Sequence, residues 1–461
     1  MISTDTLPDD VLLAIFDYYV NDYDRRPIDR EKAWQSLVHV CRRWRSIVFG
    51  SPLHLNLRLV CTETTRARDM LDVWPALPLI IWRNGSYRTE HADNITAVLE
   101  RSDRVCRIRL TYFQGSDLGI LLAAMQQSFP ELTDMKLSSY TETVPVVPDS
   151  FLGGSAPRLQ YLDLIGIPFP GLPKLLLSAT QLVHLSLLRI AHSGYFSPEE
   201  MVTALTTLTS LEELSLYFQS PRSCPDHASQ LPPSSTRSVL PVLRHFSFQG
   251  VIEYLEDLVT HIDAPRLRSL DMTFFNDITF DTPEFIQFVT RSPTLRALKN
   301  AHITLRNGRA SLDVSSQTSG DGRLNVTIRI VCRGLEWQVS SLEQVCTSLP
   351  SVFMLEGLYI YEDPYSQLDW KDDIENGLWL QLLHPFTAVK NLYLSERFAI
   401  GIGLALQELV EGRTTEVLPA LQNIFLKGLQ PSGPVQEGIR HFVASRQVTS
   451  RPITVSHWDA S

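Results

Sequence analysis

Leu159-Gln160-Tyr161-Leu162-Asp163-Leu164 is one copy of a six-residue pattern, L-x-x-L-x-L, that decides the fold of this chain. The alternation at the end of the pattern is typical of a β-strand that buries one face. From residue 105 to residue 295, successive copies start 27, 27, 23, 29, 32, 24 and 28 residues apart, which is the spacing of a structural repeat. With other aliphatic or aromatic residues allowed, the copies lie at 105–110, 132–137, 159–164, 182–187, 211–216, 243–248, 267–272, 355–360, 389–394 and 421–426, with a partial copy at 295–298.

Helix signals lie between these predicted strands. Residues 197–200, Ser-Pro-Glu-Glu, have the residue types of a capping box. Thr282-Pro283-Glu284 predicts a second helix start, and residues 252–262 predict a third helix. Because one strand–helix unit cannot bury its apolar faces alone, the units are expected to stack. The sequence therefore predicts an irregular α/β solenoid with a parallel sheet on its concave side and helices on its convex side.

Two stretches interrupt the repeats. Residues 220–238 are rich in proline and serine, which predicts a mobile loop. Residues 301–331 contain the hairpin turn signal Asn307-Gly308 and an alternating strand pattern from Leu324 onward. We expect this second stretch to be an irregular repeat with extra strands.

The first 50 residues read as helical. Pro8 suits a first helical turn, and Asp9 and Asp10 complement the positive end of the helix dipole. A second periodic run extends from Ala33 to Val48 and stops at residues 50–52, Gly-Ser-Pro. The apolar positions of the first run fall on one helical face: Val11, Leu12, Ile15, Phe16 and Tyr19.

Composition narrows the possible functions. Lys and Arg number 41 and Asp and Glu 51, which gives a net charge of −10 and disfavours a general nucleic-acid binder. The six cysteines include no C-x-x-C pair, so we expect free thiols in a reducing compartment and no metal site. We expect no signal peptide and no membrane span, and hence a cytoplasmic or nuclear location.

Catalytic and cofactor motifs are weak. The sequence contains no G-x-S-x-G, phosphate-binding Walker loop or H-E-x-x-H. Gly401-Ile402-Gly403 opens like a dinucleotide-binding loop but lacks the third glycine. We expect no catalytic residue and no cofactor.

Two segments near the N-terminus resemble the F-box motif. They are residues 7–16, Leu-Pro-Asp-Asp-Val-Leu-Leu-Ala-Ile-Phe, and residues 37–45, Leu-Val-His-Val-Cys-Arg-Arg-Trp-Arg. Together with the repeats, they make the chain similar to F-box proteins with divergent leucine-rich repeats, of the kind common in fungi. On this basis we expect a three-helix F-box at 1–55, a connecting segment and N-terminal cap at 56–104, and an irregular leucine-rich-repeat domain at 105–461.

The resemblance implies a substrate receptor of a Skp–cullin–F-box ubiquitin ligase, which would direct ubiquitin-dependent degradation. The F-box would bind the Skp-type adaptor, and the repeats would bind a protein substrate. The alternative is a ligase-independent scaffold in which the same apolar residues only pack a helical cap on the solenoid. The adaptor-binding residues that the resemblance implies are Leu7, Pro8, Val11, Ile15, Phe16, Val40, Cys41 and Trp44.

The strand pattern also predicts which side chains face away from the core. An aromatic stripe on the later strands is typical of protein-binding surfaces, although a segment ending in Val455 and Trp458 could instead fold over it. We expect no arginine cluster on this face, and therefore no pocket for a phosphorylated peptide. The predicted substrate-binding residues are Tyr217, Tyr359, Tyr361, Tyr393 and Phe425.

Overall fold

Parallel strands alternate with helices along most of the chain, as the repeat spacing predicts. The chain divides into two compact units, residues 1–196 and 197–461. The structure is a computed structural model, and it describes residues 7–21, 27–62, 65–84, 92–113, 115–141, 143–223, 237–275, 282–316, 324–332, 334–349, 352, 354–362, 374–409, 415–427, 434–448 and 451–458.

The first unit begins with helices and continues as a parallel sheet. Each of its strands β1 to β5 pairs in parallel with the next strand along the chain. Its elements are α1 (Asp9–Val20), α2 (Pro27–Val38), α3 (Arg42–Gly50), β1 (Leu59–Cys61), α4 (Ala67–Val73), β2 (Leu79–Asn84), α5 (Ala92–Leu99), β3 (Val105–Phe113), α6 (Gly115–Ala124), β4 (Asp134–Ser139), β5 (Tyr161–Ile165), α7 (Leu172–Leu176) and β6 (His184–Ile190).

The second periodic run of the sequence folds as α2 and α3, which together with α1 give the three helices that the resemblance implies. Cys41 has extended backbone angles, φ −156° and ψ 171°, and its sulfur accepts a hydrogen bond from the Trp44 amide, which starts α3. The Arg45 Nε group donates to the Val38 carbonyl at 3.0 Å, so a carbonyl at the end of α2 is satisfied. Apolar periodicity continues across this break, which is why periodicity alone does not locate it.

The stretch predicted as a connecting segment and cap, residues 56–104, already contains repeat units. Its strands β1 and β2 pair with each other in parallel, and β2 pairs with β3. Each of the two strands is followed by a helix, α4 or α5. These strands are short or continuously apolar, such as Leu79-Ile80-Ile81, and therefore escape the L-x-x-L-x-L pattern.

The second unit carries the remaining strands and helices. Its elements are α8 (Pro198–Leu205), β7 (Glu213–Phe218), β8 (Ser238–Val239), β9 (His245–Gly250), α9 (Ile252–Thr260), β10 (Ile262–Asp263), β11 (Ser269–Phe275), α10 (Pro283–Arg291), β12 (Asn300–Arg306), β13 (Arg309–Ser315), β14 (Asn325–Val331), α11 (Leu335–Ser348), β15 (Gly357–Glu362), α12 (Asn376–Leu383), β16 (Asn391–Ser395), α13 (Glu396–Gln407), β17 (Asn423–Lys427), α14 (Pro434–Val448) and β18 (Thr454–His457).

The irregular repeat inserts an antiparallel hairpin into the sheet of the second unit. Strands β12 and β13 are joined by the two-residue turn Asn307-Gly308, in which Gly308 has φ +75°. The spatial order is β11-β14-β13-β12-β15, so the last strand of the insertion lies next to β11. Strand β14 is parallel to β11, and β12 is parallel to β15. The extra strands are as predicted, but their order is the reverse of their order in the chain.

The core follows the repeat pattern in both units. The aliphatic positions of the pattern are buried, as at Leu162 and Leu164 of β5. Ser197 and Glu200 form the predicted capping box of α8, with hydrogen bonds of 3.2 and 2.9 Å. At α10 the carboxylate of Glu256, on α9, accepts from the Glu284 and Phe285 amides and caps the helix. In strands such as β5, β7 and β9, buried core positions therefore alternate with side chains on an open face of the sheet.

Part of the predicted loop at 220–238 lies outside the described residues. Residues 221–223 form a single 3-10 turn and β8 begins at Ser238, whereas residues 224–236 are not described. Among the described residues, no helix combines the length and the apolar character that crossing a membrane requires.

Candidate protein-binding surfaces

Helix α1 separates its apolar residues onto two faces. Leu12, Phe16 and Val20 are buried in the first unit. On the opposite side, Val11 and Ile15 are 41% and 48% exposed. Tyr18, which follows them at helical spacing, is 84% exposed. The apolar periodicity of the sequence includes Tyr19 but not Tyr18. The spacing 11, 15, 18 is the sequence signal for the exposed face.

The structure does not place Phe16 on the surface where the resemblance puts it. Phe16 is completely buried, and its ring centroid lies 4.7 Å from that of Trp44. We therefore assign Phe16 to the core, where it supports the half-buried indole of Trp44 from below.

The start of α3 lies beside the start of α1. The Arg43 guanidinium donates to both the Leu7 carbonyl and the Asp9 carboxylate, the latter at 2.6 and 3.0 Å. Val40 is 59% exposed and Cys41 is exposed just before α3. Pro8 is exposed and Leu7 is half-buried. We call Leu7, Pro8, Val11, Ile15, Tyr18, Val40 and Cys41 the N-terminal apolar surface.

Helix α2 attaches the three helices to the sheet of the first unit. Trp34 is almost fully buried, and its indole nitrogen donates to the Arg58 carbonyl at 2.9 Å. The ring of Trp34 packs edge-on against Trp74 at 5.2 Å and Phe49 at 6.0 Å. Glu31 forms an ion pair with Arg107 of β3 at 3.0 Å. The helices thus also cover the edge strand β1, as the cap interpretation requires.

An aromatic row crosses the open face of the second unit. The rings of His302 and Tyr359 stack at 4.3 Å, those of Tyr359 and Tyr393 at 4.0 Å, and those of Tyr393 and Phe425 at 4.4 Å. Strand register puts these four residues directly beside one another on β12, β15, β16 and β17. We call them the aromatic row, and all four are half-buried.

Trp458 lies across two members of this row, as the alternative interpretation of the stripe predicts. Its ring centroid is 5.8 Å from Tyr359 and 5.4 Å from Tyr393, at steep angles to both. Its amide donates to the Leu426 carbonyl at 3.0 Å, immediately after β18. Burial and a hydrogen bond to Tyr393 raise the pKa of Tyr359 to about 12, so this phenol stays neutral. Part of the aromatic row is therefore already covered by contacts within the chain.

The other two predicted substrate-binding residues lie apart from the stack. Tyr361 meets His302 edge-on at 6.1 Å. Tyr217 is on β7, separated from the aromatic row by β9, β11, β14 and β13. Burial, and then the charge of Asp271, raise the pKa of Tyr217. Tyr217 is therefore a separate position on the open face, and its role in substrate binding stays a prediction.

The structure corrects the expectation that no arginine cluster lines the open face. Arg306, Arg309 and Arg329 all occupy non-core positions of β12, β13 and β14. Burial, and then the charges of Arg329 and Arg306, lower the pKa of Arg309. The three arginines belong to the inserted hairpin and its return strand, outside the L-x-x-L-x-L copies from which the face was derived.

Three cysteine thiols have raised pKa values in this structure. Burial raises the pKa of Cys61 to about 12 and also raises the pKa of Cys106 and Cys346, so these thiols stay protonated. Cys41 is exposed, and Cys224 lies outside the described residues. Within the part of the chain that the structure describes, no group of three histidine, cysteine or acidic side chains is placed to hold a metal ion.

Comparison with known proteins identifies the domain at the N-terminus. Residues 4–59 match the sequence model of the F-box-like family. A search of solved structures finds the leucine-rich repeat-containing protein LegL7 from Legionella pneumophila, at 14% identity and a TM-score of 0.27, over 84% of this chain and 97% of that one. No curated protein has significant sequence similarity to the chain. The chain thus carries an F-box-like domain at residues 4–59, ahead of parallel strand–helix repeats whose strands bear the L-x-x-L-x-L pattern.

Proposed function

We propose that this chain is the substrate-recognition subunit of a Skp–cullin–F-box ubiquitin ligase. Its F-box-like domain would bind the Skp-type adaptor, and its repeats would bind a protein marked for degradation. The observation that carries the proposal is the N-terminal apolar surface, which lies within the F-box-like match and remains exposed in the chain itself.

The composition of this surface fits a protein interface. Val11, Ile15 and Tyr18 form a continuous stripe on α1, and helices with such a stripe dock into apolar grooves. Trp44 of α3 is half-buried, and its ring packs against that of Phe16 on α1. Interface free energy concentrates in aromatic and aliphatic anchors of this kind.

The chain would contribute no bond-making residue. It would act by proximity, because a bound substrate is held near a ubiquitin-loaded enzyme that the partners carry. The attachment of α2 to the first unit through Trp34 supports this role, since it fixes the adaptor-binding helices on the sheet. Such a function belongs in the cytoplasm or nucleus, where we place the protein.

Adaptor binding tests the proposal. The double variant Ile15→Asp/Val40→Asp puts charges on the N-terminal apolar surface and should weaken binding of a purified Skp-type adaptor by about a hundredfold or more. Because both side chains are exposed, thermal unfolding should be nearly unchanged. Val73→Asp is the matched control, since Val73 is an exposed valine of α4 in the same unit.

The alternative is a ligase-independent scaffold, and the contact of α2 with the first strand favours it. In that case the helices serve only as a cap. Equal adaptor binding by the native chain and the double variant, or no adaptor binding by either, would reject the receptor function in favour of the scaffold.

A further inference from the structure

The inserted hairpin brings three arginines to one end of the open face of the second unit. Arg306 on β12 is directly opposite Arg309 on β13, next to the Asn307-Gly308 turn. Arg329 on β14 is opposite Ser311, which places it diagonally across from Arg309. Neighbouring strands are about 4.8 Å apart and diagonal neighbours about 7–8 Å, so the three side chains share one patch. We call these three residues the arginine cluster.

The placement is unfavourable for the chain alone. Like charges directly opposite each other destabilise a strand pair. Arg309 is half-buried, and its lowered pKa has the repulsion of Arg329 and Arg306 among its causes. A local conflict of this kind is expected where a site serves binding rather than folding.

Two acidic residues on β11 and β13, Asp271 and Asp313, already accept hydrogen bonds within the chain. Asp271 accepts a hydrogen bond from Arg329, and burial raises its pKa although the arginine opposes that shift. Asp313 accepts from Thr327 at 2.7 Å and from Ser311 at 3.3 Å. Among the described residues, no carboxylate forms an ion pair with Arg309.

We propose that the arginine cluster binds an acidic segment of a partner protein, with carboxylate side chains along an extended backbone. This proposal extends the receptor function proposed above. It rests on that function only for the assignment of protein binding to the repeats. The three arginines are spread over three adjacent strands, β12, β13 and β14. Alternate side chains of an extended segment are about 6.8 Å apart, which matches this spread better than a single phosphate does.

The half-buried position strengthens the attraction. Electrostatic interactions are stronger where water is partly excluded, and Asp271, Arg309 and Arg329 are all half-buried. Arginine forks also form paired hydrogen bonds with carboxylates. Such contacts would give the face a charge preference that the aromatic row cannot supply.

Peptide binding to the full chain tests this proposal. The probe is a fluorescent peptide of alternating glutamate and serine, compared with the same peptide carrying glutamine in place of glutamate. We expect the glutamate peptide to bind at least about tenfold more tightly than the glutamine peptide, and less tightly as salt is raised. Arg306→Gln/Arg309→Gln should remove about tenfold of that affinity, whereas Arg266→Gln, at an exposed arginine before β11, should leave it unchanged.

Several outcomes would overturn the proposal. They are failure of the glutamate peptide to bind, equal affinity for the two peptides, and equal binding by the native chain and the double variant with unchanged circular dichroism. Tighter binding of a singly phosphorylated serine peptide would overturn the assignment to carboxylates. Adaptor binding by the same protein samples separates the two proposals, because loss of the receptor function leaves peptide binding intact.

Discussion

The N-terminal apolar surface and the aromatic row are both built from large apolar side chains, yet the chain treats them differently. Val11, Ile15 and Tyr18 face outward with no described ring stacked on them, and Val40 is more than half exposed. In the aromatic row each ring stacks on the next at 4.0–4.4 Å, and Trp458 crosses two of them.

This difference indicates that the N-terminal apolar surface, more than the aromatic row, needs a partner. Rings that stack on each other have already gained much of their contact energy within the chain. An exposed apolar stripe gains it only when another molecule covers the stripe. Residue type alone therefore does not identify a binding surface. The contacts that the apolar side chains already make within the chain decide it.

The comparison is sharpest at two neighbouring residues of α1. Phe16→Ala removes a completely buried ring and should destabilise the helical region by about 3–5 kcal/mol. Ile15→Ala should cost less than about 1 kcal/mol, because the side chain is half exposed. Hydrogen exchange of the α1 amides measures both effects, and similar losses for the two variants would contradict the division of faces.

The aromatic row predicts a smaller effect. Tyr393→Ala removes stacking against both Tyr359 and Phe425 and should destabilise the second unit by about 2 kcal/mol. Tyr18→Ala serves as the control, since Tyr18 is exposed and should cost under about 0.5 kcal/mol. Urea denaturation of the full chain compares them, and no loss at Tyr393 would show that the stack contributes little.

Alkaline pH tests the row by a different route. The pKa of Tyr359 is raised to about 12, whereas an unfolded tyrosine has a pKa of about 10. Between these values the unfolded chain loses the proton while the folded chain keeps it, so stability falls as pH rises through this window. Unfolding by urea at pH 9 and pH 11 should show a smaller drop for Tyr359→Phe than for the native chain. An equal drop would place the titrating group elsewhere.

The smallest expected effect concerns the ion pairs between α2 and the sheet. Glu31 lies 3.0 Å from Arg107 and 3.8 Å from Arg58. Glu31→Gln should cost under about 1 kcal/mol, because solvent-accessible ion pairs contribute little. Adaptor binding should not change, since the helices are held by Trp34. A large loss of stability would mean that charge, rather than aromatic packing, anchors the N-terminal helices.

Repeat spacing predicts most of the fold because strand positions depend on local alternation. The copies at 159–164 and 182–187 place the buried residues of β5 and β6 correctly. The order of β12, β13 and β14 is not predictable in this way, because a hairpin can enter a sheet in either direction. The arginine cluster is not predicted either, because its strands lie outside the L-x-x-L-x-L copies.

The N-terminal surface shows a second limit of the sequence. Helical periodicity at 11, 12, 15 and 16 predicts an apolar side of α1, but both Ile15 and Phe16 fit it. Which of them is buried depends on where α3 lies, and Trp44 covers Phe16. The break at Cys41 that positions α3 is a single extended residue within a continuous apolar pattern.

Hydrogen exchange of the full chain with and without a Skp-type adaptor is the most direct test of whether the N-terminal apolar surface binds the adaptor. We predict that the adaptor protects the amides of residues 9–18 and 40–45, and leaves the exchange of the strands that bear the aromatic row unchanged. Protection confined to those strands, or no protection anywhere at a saturating adaptor concentration, would contradict it.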